Sequence, residues 1–262
     1  EEEHGEERIF STTDSETFSI RGSYNVNGNL VNKVDFTYRD SDYSLTEAHA
    51  EEEHHEEEEH EEEEDHEEHA PTVFMNEAVE YGATFDISND SSTQKIVVNF
   101  VDEDNSIVGE EAFMNPANSK EFTMGYYLSK DIGIYDLDVG FRHDQIERSG
   151  SVTEEEHGDD HDDHGDEHED EHGEIDYYNI DDSTNSFAVT LGRSLTDNLG
   201  VSLGYASVER LPSSIELFMN GPHMATGRFE VGDPNLNSET SNNFDITFNF
   251  DNGDFYASAS FY

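Results

Sequence analysis

Cysteine is absent from this 262-residue chain, so it has neither disulfides nor thiolate metal sites, and the absence is compatible with any compartment. Positive charge is scarce: 12 Lys and Arg stand against 65 Asp and Glu, for a formal net charge of -53. A chain this acidic repels nucleic acid and anionic surfaces and attracts cations, which disfavours a nucleic-acid partner and makes a divalent metal ion the natural one. Long apolar runs are lacking too. No stretch approaches the roughly 18 residues of a membrane-spanning helix, and residues 1–20 show no basic start followed by an apolar core. The sequence therefore predicts neither helical spans nor a signal peptide. Membrane β-barrels pass both tests, because their strands alternate and never build a long apolar run. No Ser-His-Asp ordering around a nucleophile elbow and no glycine-rich phosphate loop after a strand is present, so the chain does not read as an enzyme.

What is present is acid concentrated in two places and alternation nearly everywhere else. With 32% hydrophobic residues the composition looks disordered, yet Glu51 to His69 and Glu154 to Asp176 hold fourteen carboxylates each. The reading is a structured scaffold carrying acidic inserts. In LGVSLGYAS, Leu199, Val201, Leu203 and Tyr205 fall on one face of a strand, and Gly200, Ser202, Gly204 and Ala206 on the other. The same pattern recurs in FAVTLGR, FDITFNF and IYDLDVGFR. It predicts about ten strands, near 16–26, 30–45, 73–88, 93–102, 120–128, 134–148, 183–193, 199–209, 242–250 and 254–262.

Their connections alternate in length. Short ones are expected at 27–29, 89–92, 129–133, 194–198 and 251–253, and long ones at 46–72, 103–119, 149–182 and 210–241. Tight turns at one end and long loops at the other are the arrangement of outer-membrane barrels, whose strands need about 9 to 11 residues to cross obliquely. A soluble sandwich also alternates, but with strands of about five or six residues. A polar face carrying Lys33, Asp35, Arg39, Asp136, Asp138, Arg142 and Asp245 needs a lumen wider than that of a packed eight-stranded barrel. An open ten-stranded sheet would leave two unpaired edges in lipid. The expected fold is therefore all-β: an antiparallel transmembrane β-barrel, of which residues 1–262 supply about ten strands, with acidic and His-rich inserts at 46–72 and 149–182.

The segment ERLPSSIELFMNGPHMATGRFEVGDPNLNSETSNNFDITF, Glu209 to Phe248, resembles the late-barrel signature of TonB-dependent outer-membrane receptors. Upstream, VGEEAFMNP at Val108 to Pro116, together with the inserts, is similar to the zinc-uptake subgroup of that family. The resemblance implies a 22-stranded barrel with an N-terminal plug inside it, energised from the inner membrane by TonB through a plug-side motif. It implies an outer-membrane location in a Gram-negative cell with the long loops extracellular, and outer-membrane lipid as surroundings. The inserts here are more acidic than imidazole-rich, a departure from that subgroup.

The first insert carries His54, His55, His60, His66 and His69, and the second His157, His161, His164, His168 and His172. The steps of four, three, four and four in the second would align on a helix. Like charges and Gly158, Gly165 and Gly173 oppose a free helix, so order is expected only where bound cations cancel the repulsion. Imidazole with carboxylate suits zinc, copper, nickel and manganese, whereas carboxylate alone favours calcium or magnesium. Surrounding negative charge strengthens proton binding to the imidazoles, so metal capture should weaken in mild acid. A solvated acidic loop explains the same charge run without metal.

Capture by such runs lacks the fixed geometry that selection needs. Residues at strand ends are better placed: Glu110 and Glu111 in VGEEAF, and His223 in NGPHMATG, offer carboxylate and imidazole ligands near the barrel mouth. Without metal, the glutamates would solvate a loop and His223 would hydrogen-bond a turn. Gly221, Gly227, Gly232 and Pro234 read as loop-shaping residues, His143 and Glu147 as surface charge, and His49 as an extension of the first insert. The expected function is import of zinc or a related divalent transition metal as the transported ligand, with no organic cofactor. The alternatives are a receptor for a metal chelate such as a siderophore or haem, for which Arg228 and Phe229 are the fitting loop pair, and an acidic surface barrel or adhesin binding calcium.

Overall fold

The computed structural model describes residues 9–26, 28, 30–49, 70–109, 112–154, 174–223 and 228–262. Ten long strands form one antiparallel sheet in chain order: β1 (Ile9–Asn25), β2 (Lys33–His49), β3 (Thr72–Asp86), β4 (Thr93–Val108), β5 (Ala117–Ile132), β6 (Tyr135–Glu154), β7 (Glu174–Thr196), β8 (Leu199–Arg210), β11 (Glu239–Asp251) and β12 (Tyr256–Phe261). Between β8 and β11 lie a short helix, α1 (Ser214–Phe218), and a separate two-stranded ribbon of β9 (Asn220–His223) and β10 (Arg228–Val231).

Register shows what the alternation does. Leu137 pairs with Leu191, Leu191 with Leu203, Leu203 with Ile246 and Ile246 with Phe261, an apolar row across five strands. One step along, Asp138 pairs with Thr190, Thr190 with Gly204 and Gly204 with Asp245, a polar row on the opposite face. Lys33, Asp35, Arg39, Asp136 and Arg142 belong to that same polar face through the intervening pairs. The apolar face is left uncovered: Leu203 is 54% exposed and Phe244 70%. An apolar surface this extensive, with no second sheet packed on it among the described residues, is the lipid-facing side of a membrane barrel. The polar face bears a concavity of about 700 Å³, lined in part by Glu80, Asn99, Thr123, Tyr127 and Arg142. It is the lumenal side.

The outward face has an internal boundary. Phe18, Tyr38, Tyr81 and Phe100 neighbour one another with ring centroids 5.2 to 6.4 Å apart, and Phe100 pairs with Phe122. Across the sheet Phe187, Tyr205 and Phe244 continue the series at 5.6 and 4.6 Å. An aromatic girdle of this kind sits at a membrane–water interface. Beyond it, toward the long connections, the same face turns polar and acidic, with Glu16, Asp40, Asp42, Glu77, Asp102 and Asp104. Charges of this density belong outside the hydrocarbon.

That boundary explains where the strands outrun expectation. Hydrogen-bonded pairing continues through 46–49, 103–108, 149–154 and 174–182, all expected as connections. Above the girdle the outward face turns acidic while the lumenal face holds buried apolar residues such as Ile107 and Ala117, so the apolar-outward period vanishes while the backbone ladder carries on. At the opposite rim the turns are short. Gly133 takes φ +66 and Gly253 φ +89, left-handed conformations that glycine adopts without cost from a Cβ. Asn89 Oδ1 accepts from the Ser91 amide at 2.9 Å, closing a side-chain-capped turn.

Because β2, β4, β6 and β8 run toward one rim and β3, β5, β7 and β11 return from it, residues 50–71, 109–116, 155–173 and 211–238 all connect strands at that rim. The two histidine-bearing inserts therefore leave from the same side.

Candidate functional site

At the long-connection rim, residues 112–116 and 211–223 turn onto the lumenal face rather than away from it. Phe113, Met114, Leu217 and Phe218 are buried with Ile107 and Ala117, and Phe74, Val152, Tyr178 and Ile180 pack around them. The strands make room. A Cβ on Gly150 would lie 2.5 Å from the Phe218 ring, so only glycine lets the helix approach. Backbone bonds join the two segments: the Asn220 amide donates to the Phe113 carbonyl at 2.7 Å, and Met114 bridges Met219. Asn220 Nδ2 donates to the Thr153 carbonyl at 2.7 Å, and Asn115 Nδ2 to Thr153 Oγ1 at 3.0 Å.

Local sequence explains α1. Ser213 and Glu216 form a capping box, in which the Ser213 hydroxyl accepts from the Glu216 amide while the Glu216 carboxylate accepts from the Ser213 amide at 2.7 Å. Arg210 donates to both oxygens of Glu216 at 2.9 Å and to Glu239 at 3.0 Å, tying the helix to the ends of β8 and β11. The Arg210 guanidinium, aided by the Ser213 donors, lowers the Glu216 carboxyl to about 2. Further down the lumenal wall, Asp144 accepts from Thr123 at 2.6 Å and Arg142 at 2.7 Å. Arg148, also buried, donates to Ser119 and Glu121.

The ribbon of β9 and β10 places His223. Its ring stacks on Phe113 with centroids 4.7 Å apart, Phe74 stands at 6.4 Å, and Nδ1 lies 3.2 Å from Glu230 Oε1. The glycines hold the ribbon close. A Cβ on Gly221 would sit 2.8 Å from the Phe113 Cα, and one on Gly232 2.8 Å from the Leu217 backbone, as expected of loop-shaping positions. Gly227 lies outside the described residues.

Of the metal-ligand candidates, His223 alone lies among the described residues. The histidines from His54 to His69 and from His157 to His172, with Glu110 and Glu111, lie outside them. Their described neighbour Phe113 is the residue stacked on His223. Among the described residues no group of three or more His, Asp or Glu stands close enough to hold a metal ion, so His223 and Glu230 form a two-donor pair. His143 bonds Asn185 at 3.0 Å and, with exposed Glu147, faces outward.

The sequence matches the family described as TonB dependent receptor-like, beta-barrel, over residues 4–262. The chain belongs to the TonB-dependent receptor family. Its fold recurs in the Serratia marcescens hemophore receptor HasR, solved with its hemophore HasA and heme, at TM-score 0.66 and 12% identity over 94% of this chain and 38% of that one. It recurs in the copper transporter OprC at TM-score 0.68 and 12% identity, over 96% of this chain and 39% of the other. The FrpB iron transporter of Neisseria meningitidis matches at TM-score 0.60 and 11% identity, over 95% and 36%. The chain thus spans about two-fifths of the length of these structures. TonB-dependent receptors are outer-membrane transporters of Gram-negative bacteria and not enzymes.

Proposed function

We propose that this TonB-dependent receptor imports zinc or a related divalent transition metal, and that its long connections are extracellular. The acidic and histidine-bearing inserts concentrate the cation at the mouth. Their electrostatic reach is about a Debye length, roughly 8 to 10 Å, so ions are captured on the inserts themselves and handed inward. A mouth site built on His223 with Glu110 or Glu111 then selects the ion, imidazole supplying the borderline ligand and carboxylate the hard one. A plug domain inside the closed barrel supplies further ligands and the coupling to TonB.

The observation that carries this reading is the common rim: both inserts and the segment bearing His223 connect strands on the same side of the sheet. Phe113, two positions beyond Glu111, stacked on His223, adds a link between the two halves of the mouth site. A copper transporter among the structural neighbours is compatible with a metal ion as cargo. The test is growth of a receptor-deletion strain, with and without the gene restored, under separate zinc and iron starvation. A zinc-specific defect is expected. A defect confined to iron would replace this reading with a chelate receptor, and no metal-dependent defect at all would leave the acidic surface barrel.

A further inference from the structure

The outward face is not smooth beyond the aromatic girdle. A concavity of about 630 Å³ opens there, within the range of small-ligand sites, and two adjacent cross-strand rows line it. In the lower row Glu77 pairs with Asp104, Asp104 with Asn118 and Asn118 with Ser149. In the upper row Met75 pairs with Ser106, and Ser151 with Tyr177. Counting in twos from Tyr81, Phe100 and Phe122 reaches Glu77, Asp104 and Asn118, so the groove opens on the girdle side of the sheet and away from the lumen. The Tyr177 ring is 82% exposed. Asn118 Nδ2 donates to Asp102 and to Asp104, each at 2.9 Å, which commits its donors and leaves its amide oxygen to accept. Glu77 and Asp104 also accept, while the Ser106 and Ser149 hydroxyls serve either way. A sugar ring fits that set: its hydroxyls donate to the acceptors, and its C–H face packs on the tyrosine, an apolar body with a polar tip. A phosphate does not fit, because it would meet two carboxylates and no lysine or arginine among the described lining residues.

Height above the membrane selects the source. The two rows lie four and six residues beyond the girdle, about 13 to 20 Å along the strands. At a strand tilt of about 40° that is a rise of roughly 10 to 15 Å. The headgroup layer of a leaflet takes up only about 5 to 7 Å. What borders the groove is therefore the saccharide that a glycolipid carries beyond its headgroup. We propose that the groove binds an uncharged saccharide of the outer-leaflet glycolipid, with Tyr177 stacked on a sugar face and Glu77, Asp104 and Asn118 accepting from its hydroxyls. The inference rests on reading the long connections as extracellular, since the outer leaflet is the one that presents glycolipid. Because the groove faces away from the lumen, the saccharide is a fixed neighbour of the barrel and not cargo.

The experiment uses the full-length receptor in mild detergent, with heat-modifiable gel mobility confirming the folded barrel in every variant. The probes are de-acylated lipopolysaccharide with its phosphates intact and the same oligosaccharide with them removed, and saturation-transfer NMR reads the affinity. Both should bind, removing the phosphates should not weaken binding, and EDTA should leave it unchanged. Tyr177→Ala should cut the affinity about tenfold, the scale of losing an aromatic anchor from a binding site. Tyr177→Phe, which keeps the ring, should stay within about twofold of the parent. Phe10→Ala, at an exposed outward residue outside the groove, should change nothing. Binding that needs the phosphates and vanishes with EDTA would make this a cation-bridged phosphate contact and overturn the proposal. Equal losses in Phe10→Ala and Tyr177→Ala, or no loss in Tyr177→Ala, would overturn it too. Orientation is read separately, from labelling of Asn237→Cys on intact cells by a maleimide too large to cross the outer membrane. If that cysteine is not labelled, the extracellular reading falls first and the groove's ligand with it. Labelling together with an unaffected Tyr177→Ala removes the saccharide site and leaves the receptor reading standing.

Discussion

Glu216 shows how much one side chain does at the mouth. It closes the cap of α1 and binds Arg210 through both oxygens, and its carboxyl is lowered from 4.5 to about 2. The sign follows from that depression. The ionised form is preferred in the docked helix, so its contribution is fully present above about pH 4.5 and drains away as the pH falls toward 2. Hydrogen exchange of the Leu217 and Met219 amides should accelerate across that window, and in Glu216→Gln the acceleration should be present already at neutral pH. Arg210 is half exposed, so the expected loss is modest, about 0.5 to 1 kcal/mol of local stability. The capping box was legible in the sequence as Ser213 with Glu216 three positions on, inside the stretch 210–241 read as a long connection. Glu230 was not legible. Its partnership with His223 depends on the register of a ribbon too short to show a period.

At the scale of the elements, the strands obey a rule about surroundings rather than about residues. Below the aromatic girdle one side of each strand meets hydrocarbon, and the period of two is sharp in Leu199 to Tyr205 and Phe244 to Phe250. Above it the outward side meets water while the lumenal side meets the docked mouth segments, and β6 and β7 lengthen to 20 and 23 residues without a regular apolar-outward period. A charge on the hydrocarbon side should therefore be costly. Leu203→Arg, in the centre of the apolar row, should destabilise the full receptor by about 2 to 4 kcal/mol on folding into lipid vesicles. Leu203→Met should cost under about 1.5 kcal/mol. Urea titration of vesicle-inserted receptor measures both, and equal costs for the two would deny that this face meets lipid. The helix α1 was hidden for a different reason. Five residues cannot establish a helical period, and α1 persists because Phe218 fills the space over Gly150.

For the whole molecule the inserts matter as a reservoir. If they raise the local cation concentration at the mouth, replacing residues 51–69 and 156–172 by short Gly-Ser linkers should raise the zinc concentration for half-maximal uptake roughly tenfold, and leave the maximal rate unchanged. Radiolabelled zinc uptake across a concentration series separates the two quantities. A proportional fall at every concentration would mean that the inserts act in translocation instead. What the sequence determined by itself is the order of the strands, the face each side chain takes and the rim each long connection joins. Those follow from a local period of two and from antiparallel neighbours, and need no knowledge of distant contacts. Only the tertiary structure decided how far the ladder runs beyond the girdle, that residues 112–116 and 211–223 dock on the lumenal wall, and that Glu230 meets His223. Each of these depends on register or packing between parts of the chain far apart in sequence, and no pattern of neighbouring residues records such contacts.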